Sequence, residues 1–527
     1  MIKKFLPIFL CLLVSIPAIA DKKPRKKDFI QIENLIQIDN FTQANEHIQT
    51  LQRKYPDDPY LYLLEGICLL NIDGKIAQAI TPLKSAKAHY GLYQRRNEKA
   101  LQANILLAQA FHLNERFEDA LSLLTQLRDT VPTKYKDLHQ QLILHINYCN
   151  NAIELKKHPV DFRISNLGQA INTEYDEHSP IISGDEGTLL FTSNRRGFST
   201  SSSYTLYPED IYSSKWREGA WLPSVNAGAT INSNNYDATC SLSPDGHTMI
   251  IYRNNGQGDL YIAEYDKEKW GSAQKLPKPI NSNHEESHGS LSADGNTLLF
   301  TSNRPGGLGK KDIYMAQRLP NGTWGKVSLL SNTVNTPLNE ESPFLSYDGK
   351  TLYFASEGHN SMGGYDIFKS EHDDKGQWQP AVNIGYPINT AGDDLFFIPT
   401  PDGQRVYFAS DRKGGYGRTD IYIIEFPKTD ERSLALVSGF LFTEEGQPAA
   451  TAEITIHEAV SGTLVGTYKP REQNGKYTLI LPTGIRYRMT IRTPGLSTIT
   501  REIELPYRNN YISRDAAVYL EPMVLKK

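Results

Sequence analysis

The sequence predicts a multidomain α + all-β protein: helical hairpins first, then a five-bladed β-propeller, then a C-terminal β-sandwich. Three observations carry the prediction. Apolar residues fall at helical spacing over 28–157, a unit of about fifty residues recurs over 160–427, and alternating β-prone runs fill 433–522. A chain of 527 residues has room for about three domains.

Residues 1–20, MIKKFLPIFLCLLVSIPAIA, read as a cleaved secretory signal peptide. Lys3 and Lys4 open it, an apolar run extends from Phe5 to Ile16, and Ala18 and Ala20 supply the small residues of a cleavage site. The run is too short to span a bilayer, and no later segment offers about twenty apolar residues in succession. No membrane span is expected, and the mature chain should start at Asp21. Leu10 before Cys11 disfavours a lipoprotein site. Cys68, Cys149 and Cys240 are odd in number and lack C-x-x-C spacing, so they read as small buried residues, with a Cys68–Cys149 disulfide as the minority alternative. Lys plus Arg (56) nearly balance Asp plus Glu (60), which leaves no basic field for nucleic acid.

Over 28–157, Leu61, Leu64 and Leu69, and later Ile105, Ala108 and Phe111, mark helical faces, with breakers at Pro56, Pro59, Asp73-Gly74 and Pro132. Antiparallel helices of about 12 to 16 residues follow. The pattern resembles tetratricopeptide repeats, with Gly66, Ala79 and Ala86 at the small positions of one unit and Ala108, Ala120 and Pro132 in the next. That resemblance implies either a concave peptide-binding groove or a short solenoid that packs on its neighbour.

Five segments over 160–427 open on an I/V-N-S/T signature, at Ile171, Ile231, Ile280, Val334 and Ile388, and run into an Asp-Gly turn. The first carries one extra residue, Glu186, in its turn. Each then gives an alternating apolar strand, a Gly-rich loop and a strand opening on D-I/L-Y/F at Asp210, Asp259, Asp312, Asp366 and Asp420; four continue to Trp221, Trp270, Trp324 and Trp378. Four strands per unit is the content of one propeller blade. The fifth unit lacks its last strand, and FRISNLGQAIN from Phe162 resembles WQPAVNIGYPIN from Trp378, so an N-terminal strand is expected to complete the last blade and cover both open edges. A six-bladed ring is the alternative. SADGNTLLFTSNRPGGLGKKDIY, Ser292 to Tyr314, resembles the PD40 family of WD40-like repeats, related to the TolB propeller.

The last segment turns at Gly446, Gly475 and Gly484 between alternating strands, as a small sandwich does. NGKYTLILPTG from Asn474 resembles the carboxypeptidase regulatory-like, prealbumin-type domain, which implies a supporting module without chemistry of its own.

Three catalytic motifs fail on spacing or on residue type. NHEESHG at Asn283 fits H-E-x-x-H, but the repeat alignment places His284 and His288 at the start of an inner strand. There i and i+4 side chains lie about 13 Å apart, too far for one zinc. RPGGLGKKD at Arg304 lacks the first Gly and the Ser/Thr of a P-loop, and GHNSMG at Gly358 spaces Gly and Ser wrongly for a nucleophile elbow. No catalytic residue, metal ligand or cofactor site is therefore expected. What recurs is an acid eight residues before each turn aspartate: Glu177, Asp237, Glu286, Glu340 and Asp394. By the repeat symmetry these should form a ring at one channel mouth that binds a cation or a basic peptide. Alternatively each caps backbone N–H groups or pairs with an arginine of a neighbouring blade, such as Arg304 or Arg412.

The order of modules resembles PorE-type envelope proteins of type IX secretion systems, without their OmpA-like C-terminal domain. The resemblance implies a non-enzymatic interaction scaffold of the periplasm, associated with the outer membrane. Its partners would be envelope or secretion-system proteins held by the helical groove and the propeller face, and direct peptidoglycan binding is not expected. A TolB-like envelope-integrity or translocation factor and a propeller-channel hydrolase or lyase are the alternatives.

Overall fold

The computed structural model describes residues 24–92, 97–195, 208–266, 268–373, 376–401, 403–426, 434–506 and 518–526. The expected signal peptide, with Cys11, lies outside the described residues. The chain divides into two compact units: a helical one reaching Pro159, which takes in 360–364 and 389–393, and an all-β one holding the rest.

The helical unit is a run of antiparallel neighbours: α1 Lys26–Gln37, α2 Phe41–Lys54, α3 Pro59–Asn71, α4 Ile80–Tyr90, α5 Glu98–Leu113, α6 Phe117–Thr130 and α7 Lys136–Leu155, each packed on the next. Local chemistry sets the starts. Asn40 accepts from Gln43 N, Asp58 from Tyr60 N and Leu61 N, and Asn97 from Ala100 N, so orphan donors of the first turns are filled. Pro59 follows Asp58 at the first helical position, where no N–H is needed. Gly66 lets α3 and α4 close together, since a Cβ there would overlap Leu83. Cys68 and Cys149 are free thiols in separate apolar clusters, which removes the disulfide alternative. No described helix is long and apolar enough to cross a membrane.

The β unit begins with antiparallel sheets that follow the repeat. The first sheet holds Glu177–Ile182, Thr188–Ser193 and Asp210–Arg217, and the second Asp237–Leu242, Thr248–Arg253 and Asp259–Asp266, each with short outer pieces. The third holds Glu286–Leu291, Thr297–Ser302, Asp312–Gln317 and Ser328–Leu329; the fourth Glu340–Leu345, Thr351–Ser356, Asp366–Glu371 and Val382–Asn383. The fifth is Asp394–Pro399, Arg405–Ser410 and Asp420–Glu425, with Arg163–Asn166 from far earlier in the chain pairing on Glu425 to Tyr422. The inner strand of each sheet lies beside that of the next, and the last lies beside the first, which is the arrangement of a β-propeller.

Side-chain amides stitch sheet to sheet. Asn232 donates to Ile211 O (3.0 Å) and accepts from Ile211 N (2.8 Å); Asn281 does the same with Leu260, and Asn335 with Ile313. Asn172 makes this pair of bonds with Ile421, tying the first sheet to the fifth. The extra turn residue also has its work in closure, because Glu186 meets Arg405 Nε at 3.0 Å and accepts from Tyr407 OH at 3.1 Å, both in the fifth sheet. Gly309 and Gly417, in the Gly-rich loops, run so close under the entrance of the following sheet that a Cβ would strike the carbonyls of Leu338 and Tyr175.

Two further sheets follow. Leu434–Thr443 pairs with Lys476–Pro482, Val518–Tyr519 and Met523–Leu525, and faces the sheet Leu464–Tyr468, Glu453–Glu458, Ile485–Arg492, Ile499–Leu505 across one core that includes Val437, Ile454, Tyr477 and Tyr487. Leu434, Leu436 and Ile480 instead join Ile182, Phe344, Tyr347 and Ile398 of the ring. Arg471 donates to Tyr265 O at 2.8 Å and Asn296 to Thr467 O at 3.0 Å across the same junction. These sheets thus cover the Asp-Gly turn end of the ring, leaving the starts of the inner strands at the opposite end.

Candidate site at the start of the inner strands

The five repeated acids open the inner strands, and each is fully buried. Glu177 accepts from Thr173 N (2.6 Å), Thr173 Oγ1 (2.7 Å), Ser193 Oγ (2.7 Å) and Arg195 Nη2 (2.9 Å). Glu286 repeats the set with Ser282 N (2.8 Å), Ser282 Oγ (2.7 Å), Ser302 Oγ (2.8 Å) and Arg304 Nη2 (2.9 Å). Asp394 takes Ser410 Oγ at 2.6 Å and Arg412 Nη2 at 3.3 Å. In the second sheet one arginine stands in for the serine, and Arg253 Nε meets Asp237 at 2.5 Å. The carboxylate therefore ties a sheet's entrance loop to the end of its second strand.

That geometry differs from an open ring facing a channel mouth. The acids are turned into their own sheets, and the arginines are supplied by the same sheet, not by a neighbour as the sequence suggested. Burying a carboxylate is costly unless it is paired and hydrogen-bonded, and this pattern meets both needs in four sheets.

A second group of ionisable residues, which the repeat hides, lies beside these acids. His178 and His288 flank the ring of Phe396, at 5.7 and 5.4 Å between centroids, so inner strands of the first, third and fifth sheets meet there. Glu341, next to Glu340, accepts from Ser287 Oγ (2.7 Å) and Lys311 Nζ (2.9 Å), and Lys311 also reaches Glu285 at 3.3 Å. His178 lies 3.6 Å from Glu209, and Arg418 3.0 Å from Asp176. Burial would raise the Glu341 carboxyl, but Lys311 and the Ser287 hydroxyl more than offset it and leave it below the ordinary carboxylate range. Burial drops His288 to about 4, so its imidazole is neutral at pH 7. These residues occupy equivalent or adjacent repeat positions but differ in type from copy to copy. Their departure from the repeat was the available sequence signal.

His284 is exposed ahead of its strand while His288 is buried within it, and no group of three or more potential metal ligands occurs among the described residues.

No family model and no curated protein matches the chain. Solved structures do. BT0996, in a complex with RGII, is 9% identical with a TM-score of 0.37, covering 53% of this chain and 96% of that one. An α-L-arabinofuranosidase from Lactobacillus brevis is 13% identical (TM-score 0.34, covering 53% and 94%), and CoXyl43, a GH43 β-xylosidase/α-arabinofuranosidase from a compost metagenome, is 9% identical (TM-score 0.33, covering 51% and 96%). The expected non-enzymatic scaffold is corrected here, as is the expectation of no enzymatic activity. Several of the solved structures similar to this chain are named as glycoside hydrolases. The substrates in those names belong to those proteins, and identities this low speak to fold.

Proposed function

We propose that this chain is a propeller hydrolase whose site is the start of the inner strands, and that it acts on a glycan. One observation carries the reading: the Glu341 carboxylate is held between Lys311 and Ser287, beside the His178–Phe396–His288 stack. A carboxylate kept charged in this way can stabilise the positive charge that develops on a sugar during glycoside cleavage, and the aromatic stack beside it offers apolar surface to a sugar ring. Lys311 keeps Glu341 charged, and the burial that neutralises His288 also excludes bulk water. The test is turnover of a panel of glycans and aryl glycosides by the purified chain, compared with Glu341→Gln. Loss of about 10²–10⁴ in kcat with retained fold supports the reading. Absence of turnover across the panel, or unchanged turnover in the variant, sinks it.

The finer architecture belongs to the same proposal. Closure by Arg163–Asn166 and the Asn172 and Glu186 contacts support a ring of five blades, and the shared core of the last two sheets supports a prealbumin-like sandwich. Successive antiparallel helices and the close approach at Gly66 support a tetratricopeptide-like array. The N-terminal signal pattern supports export to the periplasm, where envelope or secretion-system proteins would be the partners.

A further inference from the structure

The fourth sheet breaks the pattern of paired acids. Arg195, Arg304 and Arg412 each bond both the acid of their sheet and the carbonyl of the residue before its I/V-N asparagine; Gly358 stands at the matching position of the fourth sheet. His359 takes over the carbonyl contact, reaching Val334 O at 2.8 Å, but among the described residues no cation takes over the charge. Glu340 accepts from Thr336 N (2.8 Å), Thr336 Oγ1 (2.7 Å) and Ser356 Oγ (2.7 Å), and among the described residues no arginine or lysine pairs with it. It is as deeply buried as its counterparts.

We propose that Glu340 is a proton-sensitive joint of the ring: protonated, it holds the entrance of the fourth sheet through a neutral hydrogen-bonded carboxyl, and deprotonated, it leaves an unpaired charge inside the protein that loosens that entrance. The surrounding charged groups do not relieve it. Asp312 adds a like charge, Lys311 is committed to Glu341 and Glu285, and His359 is disfavoured in its charged form by burial. Burial, opposed by the three hydrogen bonds, raises Glu340 to about 7. Because Glu341 is the next residue, the joint would also govern how firmly the proposed site is held. Glu340 lacks an arginine whether or not the chain turns over a glycan, so the joint and the hydrolase reading stand or fall separately.

The test is hydrogen exchange of the full chain at pH 6 and pH 8, corrected for intrinsic rates, comparing 334–345 with the matching 280–291, where Glu286 keeps Arg304. A group that titrates near 7 when folded and near 4.5 when open loses about tenfold in protection across that interval. The expected result is a fall of about tenfold in 334–345 alone, abolished by Glu340→Gln. Equal pH response of the two segments, or a fall that persists in Glu340→Gln, would overturn the proposal. If the variant does not fold, the wild-type comparison of the two segments decides the question.

Discussion

Glu286 and Arg304 show what one buried pair does in this chain. The carboxylate has no exposure and the guanidinium little, so removing the cation alone strands a charge that water cannot reach. Arg304→Met should therefore lower stability by about 3–5 kcal/mol in urea unfolding, while adding Glu286→Gln should recover much of the loss. A single variant as stable as wild type would show that the pair is incidental. Glu340 has the opposite sign. Its folded form holds a proton up to about 7, whereas the unfolded carboxyl releases it near 4.5, so stability falls as pH rises between those values and levels off above them. Glu340→Gln should flatten that part of the profile and be more stable than wild type at pH 8. A wild-type profile flat from pH 4.5 to 7 would contradict the assignment.

At the scale of elements, the acids were legible in the sequence because they recur at fixed distance from an Asp-Gly turn, as was the final strand borrowed from Phe162 onwards. Which sheet supplies their arginine partners was not. An arginine eighteen residues beyond Glu177 or Glu286 belongs to the same sheet only because the second strand folds back antiparallel, which a linear spacing does not reveal. Asn172, Asn232, Asn281 and Asn335 of the I/V-N signatures likewise read as turn residues until their amides are found bonding the preceding sheet. Asn172→Ala removes two such bonds at ring closure; Ile421 O keeps its bond from Leu167 N while Ile421 N loses the Asn172 acceptor, so a loss of about 1–3 kcal/mol is expected from the unfolding midpoint. In the helical unit, Gly66→Ala should lower Tm even though alanine is the better helix former by about 1 kcal/mol, because α3 and α4 must separate to admit the methyl group. A raised Tm would show that Leu83 can move aside at little cost.

At the scale of the molecule, the turn end of the ring and the last two sheets share an apolar cluster, so they are expected to unfold together. Ile480→Asp places a charge among Ile182, Phe344 and Tyr347 and should split one calorimetric transition into two. A single unshifted transition would mean that this junction contributes little. The repeat, the strand content of each unit, the exchange of the closing strand and the positions of the buried acids all follow from the linear order of residues, because each is periodic and local. Folding in three dimensions had to supply the rest: the acids turn into their own sheets, Glu186 serves closure, and His178, Lys311, Glu341 and Phe396 converge. The acids' partners lie within the same repeat but are reached only when its strands fold back. The Glu186 contacts and the His178–Phe396 convergence, by contrast, join residues some two hundred positions apart that ring closure brings together once, so no repeat in the chain could announce them.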